Sequence, residues 1–244
     1  MSSVIDIYQQ NRDRITVIPL ALRGPVFAYA ARYGDKAILV DAGFPGEEEN
    51  VCLLLHQHGI KMSDISLIVL TQARIDHYGS APALRRLLGA PIAITAVDAP
   101  VLRHGEQFPH MLISPVNWFL YERYRKKYQR FGELLMPFKA DIIVQDQLSL
   151  ASFGLPGSLL HTPGPTAGSL SVVFDDGQAI IGDLLTTGWL TRKIVGSLPV
   201  FDKGLMKRSL RTLLALRPSV FYTGHSLPIK VEENRKRIIK LITD

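Results

Sequence analysis

The residues best suited to chemistry are concentrated in one stretch, Leu67-Ile68-Val69-Leu70-Thr71-Gln72-Ala73-Arg74-Ile75-Asp76-His77-Tyr78-Gly79-Ser80. Its first half is a β-branched and leucine run, which predicts a buried strand. Its second half predicts a loop in which a carboxylate and an imidazole, Asp76 and His77, stand side by side just before Gly79. Functional groups often sit on a loop held at the end of a rigid buried strand. Other chemistries lack their residues. Ser169 and Ser226 are not set in a nucleophile-elbow sequence. Neither the phosphate-binding Gly-x-x-x-x-Gly-Lys-Ser/Thr nor the dinucleotide Gly-x-Gly-x-x-Gly occurs. The single cysteine, Cys52, excludes an internal disulfide framework and a cysteine-cluster metal site, and its apolar helical setting reads as a small buried core residue.

The elements that must position this loop follow from periodicity. Ile15–Leu20 and Val26–Arg32 read as strands around the turn Arg23-Gly24-Pro25, and Ala37–Val40 as a strand ending in Asp41-Ala42-Gly43. Glu47–His58 predicts a helix, with Glu47, Glu48 and Glu49 at the positive end of its dipole and Gly59 closing it. His56 and His58 are then an exposed residue and a helix-end residue rather than ligands. Ser80 can cap a second helix with Pro82 in its first turn and Gly89 at its end, followed by a strand at Pro91–Thr95. Strands are also expected at Ile142–Val144, Leu148–Leu150, Ser158–His161 and Val220–Tyr222, with a hairpin of Leu170–Phe174 and Gln178–Ile181 around Asp175-Asp176-Gly177. Helices are expected at Lys203–Leu216 and Glu232–Ile242. This alternation argues for a layered α/β architecture.

The central stretch resembles the Thr-His-x-His-x-Asp-His-x-Gly-Gly pattern of the metallo-β-lactamase superfamily through Thr71, Asp76, His77 and Gly79. Gln72 and Arg74 stand at the two leading histidine positions. Four further strand ends resemble the same family in the same order. Asp41-Ala42-Gly43 is similar to its strand-terminal Asp-x-Gly, whose aspartate braces the metal loops. His161-Thr162-Pro163-Gly164-Pro165-Thr166-Ala167-Gly168-Ser169 is similar to its His-Thr-Pro-Gly-His loop, with Pro165 at the ligand position. Gly182-Asp183-Leu184 looks like the bridging aspartate, and Thr223-Gly224-His225-Ser226 like the last ligand loop. The resemblance spans about Ile15 to Pro228. It implies a four-layer αββα sandwich, two β-sheets face to face with helices outside, as a single domain over residues 1–244. It also implies a helical lid insertion at about residues 99–138.

Carried over residue by residue, the resemblance assigns Gln72, Arg74 and Pro165, sharing Asp183, to a first metal site. None of the three is an ordinary zinc ligand; arginine stays protonated and proline has no side-chain donor. That site is therefore expected to be absent. The second site would be Asp76, His77, Asp183 and His225, a set of two imidazoles and two carboxylates that suits one zinc, manganese or ferrous ion. The resemblance then implies a hydrolase acting on a small-molecule ester, thioester or lactone, with Asp76 orienting the nucleophile and Arg74 beside the oxyanion. A second reading stays open, in which Arg74 pairs with Asp76 or Asp183 in place of an ion and the protein is a metal-free binder of an anionic or acyl ligand or of a partner. His161 reads as a loop support rather than a ligand.

The chain has 244 residues, 47% hydrophobic and 20% charged, enough for one sizeable core. No apolar run reaches the ~20 residues of a membrane span. The first residues, broken by Asp6, Arg12, Asp13 and Arg14, lack a signal-peptide core, so a cytoplasmic protein without a membrane partner is expected. The net charge of +6 gathers at Arg123–Arg130 and Arg235–Lys240. Both clusters read as solvated helix faces; no nucleic-acid-binding motif interleaves with them, which disfavours RNA as partner. The aromatic residues of the interval, including Trp118, Phe119 and Tyr121, read either as a packing seam or as a substrate-binding lid.

Overall fold

The computed structural model describes residues 14–105, 134–188, 193–196 and 200–243. Among them the apolar runs form two six-stranded sheets. The first holds β1 (Thr16–Ala21), β2 (Phe27–Tyr33), β3 (Lys36–Val40), β4 (Ile65–Val69), β5 (Ile92–Thr95) and β6 (Ile142–Val144) in chain order. β1 to β3 run antiparallel, and β3 to β6 run parallel. The second contains β7 (Gln147–Ser149), β8 (Gly157–His161), β9 (Leu170–Phe174) and β10 (Gln178–Ile180). A two-stranded ribbon, β11 (Thr186–Thr187) with β12 (Ile194–Val195), follows in the chain. β13 (Val220–Thr223) and β14 (Ser226–Lys230) complete the second sheet, whose order is β14-β13-β10-β9-β8-β7.

The central strands β3, β4, β5 and β9 read as nearly continuous apolar runs because both faces of the sheets are covered there. On β3, Ala37 and Leu39 face one core while Ile38 and Val40 face another. The central core lies between the sheets, with Leu67 and Val69 of β4 meeting Leu170, Val172 and Phe174 of β9. Outside the first sheet pack α1 (Glu48–Gln57), the one-turn α2 (Ile75–Tyr78), α3 (Ala81–Leu88) and α4 (Ala99–His104), through Val51, Leu55, Ile75, Leu84 and Leu102. Outside the second sheet, α5 (Lys203–Ala215) and α6 (Val231–Thr243) bury Leu210, Leu213, Ile238 and Ile242. Three cores between four layers are the αββα sandwich expected from the sequence.

Some local expectations are corrected. Ser80 does not cap α3 with its side chain; its hydroxyl lies 2.7 Å from the Phe44 carbonyl and 2.8 Å from Glu48 Oε2, tying the helix to α1. Cys52 is half-buried rather than enclosed. β14 has no strand pattern in the sequence, because Pro228 interrupts it; an edge strand tolerates a proline. The greater part of the lid interval, Trp118, Phe119, Tyr121 and the basic run Arg123–Arg130 included, lies outside the described residues.

The two sheets are also joined by a polar contact. The hydroxyl of Tyr29 on β2, fully buried, donates to the Thr223 carbonyl of β13 at 2.7 Å. Tyr29→Phe keeps the packing and removes this bond, and should lower stability by about 1 kcal/mol in urea denaturation.

Candidate metal centre

β4 ends at Val69, and the chain turns through Thr71–Arg74 into α2, which puts Asp76 and His77 on a single helical turn. Two carboxylates hold that turn from either side. Asp41, just past β3 and in the left-handed region at φ 64°, accepts from the Thr71 backbone N–H at 2.8 Å and from the Thr71 hydroxyl. It also faces His77 Nδ1 at 2.8 Å. Asp98, beyond β5, accepts from the Ala73 N–H and the Thr166 hydroxyl, each at 2.8 Å, and from the Gly168 N–H at 3.1 Å. It therefore joins the β4 loop to the loop carrying Pro165. Gly168 has to be glycine, since a Cβ there would stand 2.4 Å from Asp98 Oδ1.

The other side chains come from the second sheet. Asp183 follows β10 after Gly182, which has φ +52° and passes against Thr71. His225 sits between β13 and β14. Its neighbour Gly224 donates its N–H to Gly182 and accepts from Phe27 N–H, each at 2.9 Å. A Cβ on Gly224 would stand 2.7 Å from Asp183 Oδ1 and 2.8 Å from His77 Cε1, so the closeness of the loops depends on its absence. His225 Nδ1 lies 3.0 Å from the Pro25 carbonyl of the β1–β2 turn, which leaves Nε2 directed inward.

Thus Asp76, His77, Asp183 and His225 are brought together from three separate parts of the chain. His225 Nε2 is 3.4 Å from Asp76 Oδ2 and 3.3 Å from Asp183 Oδ1, and His77 Nε2 is 3.4 Å from Asp183 Oδ2. One donor atom from each of Asp76, His77 and His225 falls within 4.8 Å of the other two. Both Asp76 oxygens and Asp183 Oδ1 are buried and accept no hydrogen bond from the described residues. A buried acceptor without a partner costs about 1–3 kcal/mol. Such orphaned oxygens beside two imidazoles fit a cation.

The first-site positions look different. The Arg74 guanidinium, almost fully buried, donates to Asp183 Oδ2 at 2.7 Å and lies 3.8 Å from Asp76 Oδ1. The Gln72 amide nitrogen is 2.7 Å from Asp183 Oδ2 and 2.7 Å from His77 Nε2. Pro165 contributes its carbonyl to Phe201 N–H at 3.1 Å. These three residues do not form a second ion site. His161 supports its loop as expected, with Nε2 2.8 Å from the Ala167 carbonyl.

The charges act on one another strongly. Burial would raise the carboxyls of Asp76 and Asp183, yet Arg74, His77 and His225 beside them hold both below the ordinary range. Burial would lower His225, but Asp183 and Asp76 push it up to about 10. Burial likewise opposes the charge on His77, and Asp41, Asp183 and Asp76 outweigh it. Beyond His225 opens a cavity of about 1030 Å³, walled by Pro25, Phe27, Thr186, Thr187 and Leu227. The sequence shows neither the bonds of Asp98, nor the contact of the Pro25 carbonyl with His225, nor this cavity. The only hint of Asp98 is an aspartate three residues past a strand.

A family model described as the metallo-beta-lactamase superfamily matches residues 21–225. The probable metallo-hydrolase MJ0888 of Methanocaldococcus jannaschii is 28% identical over 153 residues, 62% of this chain and 64% of that protein, just under two thirds of its length. The probable metallo-hydrolase YqjP of Bacillus subtilis is 28% identical over 237 residues, 84% of this chain and 68% of that protein. Among solved structures, the metallo-beta-lactamase family protein TTHA1429 of Thermus thermophilus superposes with a TM-score of 0.67 at 22% identity, covering 94% of this chain and 78% of that one. TTHA1623 in a di-iron-bound form gives 0.64 at 25% identity, covering 91% and 98%.

Two outcomes are expected. Asp98→Ala strands three donors around the β4 loop and should cost roughly 3 kcal/mol in denaturant melts, with Asp98→Asn losing less because it keeps an acceptor. In the chelator-treated protein, the depressed carboxyls of Asp76 and Asp183 contribute stability above the unfolded carboxylate value of ~4, lost as the pH falls. His225, raised to about 10, contributes stability complete below its unfolded value of ~6.5 and lost as the pH rises through about 10. Melting temperature should therefore peak between ~4 and ~6.5. A profile flat from neutral pH to 10 would contradict the charged His225.

Proposed function

The chain belongs to the metallo-beta-lactamase superfamily, and we propose that it is a hydrolase of that superfamily working with a single metal ion. Asp76, His77 and His225 would hold the ion, with Asp183 beside them. The observation that carries this reading is the convergence of those three donors within 4.8 Å around an aspartate whose two buried oxygens accept no hydrogen bond from the described residues. Three carboxylates, counting Asp41, share this cluster with one guanidinium, so with the imidazoles neutral, as metal ligands must be, its balance calls for further positive charge. An ion held there supplies Lewis acidity, which makes water acidic near neutral pH and polarises a carbonyl.

The protein's own groups account for the rest. Asp41 fixes His77 with Nδ1 outward, and Pro25 does the same for His225, so both Nε2 atoms point to the cluster. Arg74 cannot lose its proton, and its planar fork gives the site a fixed positive charge where the family pattern has a histidine. It stands ready to stabilise the oxyanion that develops as an ester, thioester or lactone is opened. A solved Cronobacter sakazakii metallo-beta-lactamase is described by a HARLDQ motif. Gln72–His77 reads QARIDH, so an arginine followed two residues later by an aspartate is not peculiar to this chain. The apolar walls of the cavity, Phe27, Pro25 and Leu227, suit an acyl body, and Thr186 and Thr187 offer hydroxyls.

A second reading is favoured by one observation, that Arg74 already pairs with Asp183. On that reading the guanidinium replaces the ion and the site binds an acyl or anionic ligand without turnover.

Metal analysis after incubation with zinc, manganese or ferrous iron tests the choice. At most one tightly bound ion per chain is expected, abolished by His225→Ala with the fold retained. Because His225 is held protonated up to about 10 in the metal-free state, uptake should release protons. Affinity should then rise up to about tenfold per pH unit below that value. Two ions per chain would contradict the ligand assignment, and none would leave the metal-free binder. Ester, thioester and lactone hydrolysis should follow the ion content.

A further inference from the structure

The contact between Gln72 and His77 has a direction that chemistry fixes. The Gln72 amide group touches His77 Nε2 and Asp183 Oδ2, each at 2.7 Å. Asp183 Oδ2, an ionised oxygen that also receives Arg74, can only accept, so the atom facing it is the amide nitrogen. Turning the amide over would set its carbonyl oxygen against the carboxylate. The same nitrogen meets His77, whose Nε2 must therefore be the accepting atom, with the ring proton on Nδ1 toward Asp41. The carboxylates draw a proton onto His77, which Asp41 holds on Nδ1, and the amide N–H facing Nε2 opposes a second proton there. The lone pair on Nε2, which a metal ion would need, is taken by Gln72.

This arrangement is not fully satisfied. Gln72 is buried, and its Oε1 has no hydrogen-bond partner among the described residues. The amide gives both hydrogens into the cluster and leaves its oxygen stranded, as Asp76 leaves two.

We propose that Gln72 is an intramolecular latch on the metal centre, its amide N–H closing His77 Nε2 and Asp183 Oδ2 in the metal-free protein and rotating away when an ion enters. The latch rests on the one-metal reading above and adds a regulation of that site. It makes the metal-free state a defined, hydrogen-bonded conformation rather than an open cage, and it sets an internal competitor against every ion. A hydrogen bond of this kind gives back only part of its strength on exchange, so the competition is modest. It weakens and slows loading without preventing it.

Gln72→Met keeps the length and volume of the side chain and removes the N–H donors; Gln72→Ala is the second variant should methionine disturb folding. Zinc affinity is measured by competition with a chromophoric chelator, and the association rate by stopped flow on the chelator-stripped protein. Either variant should bind zinc about three- to tenfold more tightly than the wild type and load faster. In the wild type, the Gln72 side-chain amide resonances should shift on zinc addition as the contact with His77 is released. Equal affinity and rate in wild type and variants, or amide resonances unmoved by bound zinc, would overturn the latch while leaving the one-metal site standing. Failure of wild type and both variants alike to take up zinc, manganese or iron would overturn the one-metal reading and the latch together.

Discussion

The constraint on which this structure turns is the burial of Asp41, Asp76 and Asp183 within one cluster. Each lies almost entirely out of solvent. Buried carboxylates are tolerated only when paired or hydrogen-bonded. Asp41 meets that demand with Thr71 and His77, and Asp183 with Arg74 and Gln72. Asp76 does not; it has the charges of Arg74 and His225 nearby but accepts no hydrogen bond from the described residues. The site is thus neither fully satisfied nor open. That intermediate condition supports both a metal-binding reading and an internal competitor for the metal.

The loops keep their geometry for reasons independent of any ion. The β4 loop is pinned at Thr71 by Asp41 and at Ala73 by Asp98, and its far end returns through Ala42 N–H to the His77 carbonyl at 2.7 Å. Gly182 and Gly224 allow the second sheet's loops to close against it. This division of labour keeps Asp76, His77, Asp183 and His225 together whatever side chains stand at positions 72, 74 and 165. The β4 loop backbone is held by Asp41 and Asp98, not by the side chains at positions 72, 74 and 165.

Much of this was legible in the sequence, and the limits have physical causes. β3, β4 and β9 are buried on both faces, so their apolar runs stand out, and the chemistry-bearing residues lie in the loops that follow β4, β10 and β13. Asp76, His77, Asp183 and His225 could be read for that reason. Asp98 could not, because its partners, Ala73, Thr166 and Gly168, are joined to it only by the fold, and two of the three bonds go to backbone N–H groups that carry no side-chain pattern. The Pro25 carbonyl that orients His225 across 200 positions is invisible for the same cause. β11, β12 and α2 are too short for periodicity to reveal, and Pro228 disguised β14.

Gln72 and Arg74 stand where the family pattern has histidines, and they make a different demand on their surroundings. Two neutral imidazoles would need a cation to justify their placement beside Asp183, whereas an amide and a guanidinium arrive as donors. Arginine brings a permanent charge, and a charge fixed to the chain imposes no dependence on metal supply. The guanidinium reaches Asp183 Oδ2 but leaves Oδ1 and both oxygens of Asp76 without a hydrogen-bond donor. One positive group placed at the first-site position therefore settles the first site's electrostatics and leaves the second site's demand in place. The asymmetry between the two halves of the cluster is the physical basis for expecting one ion rather than two.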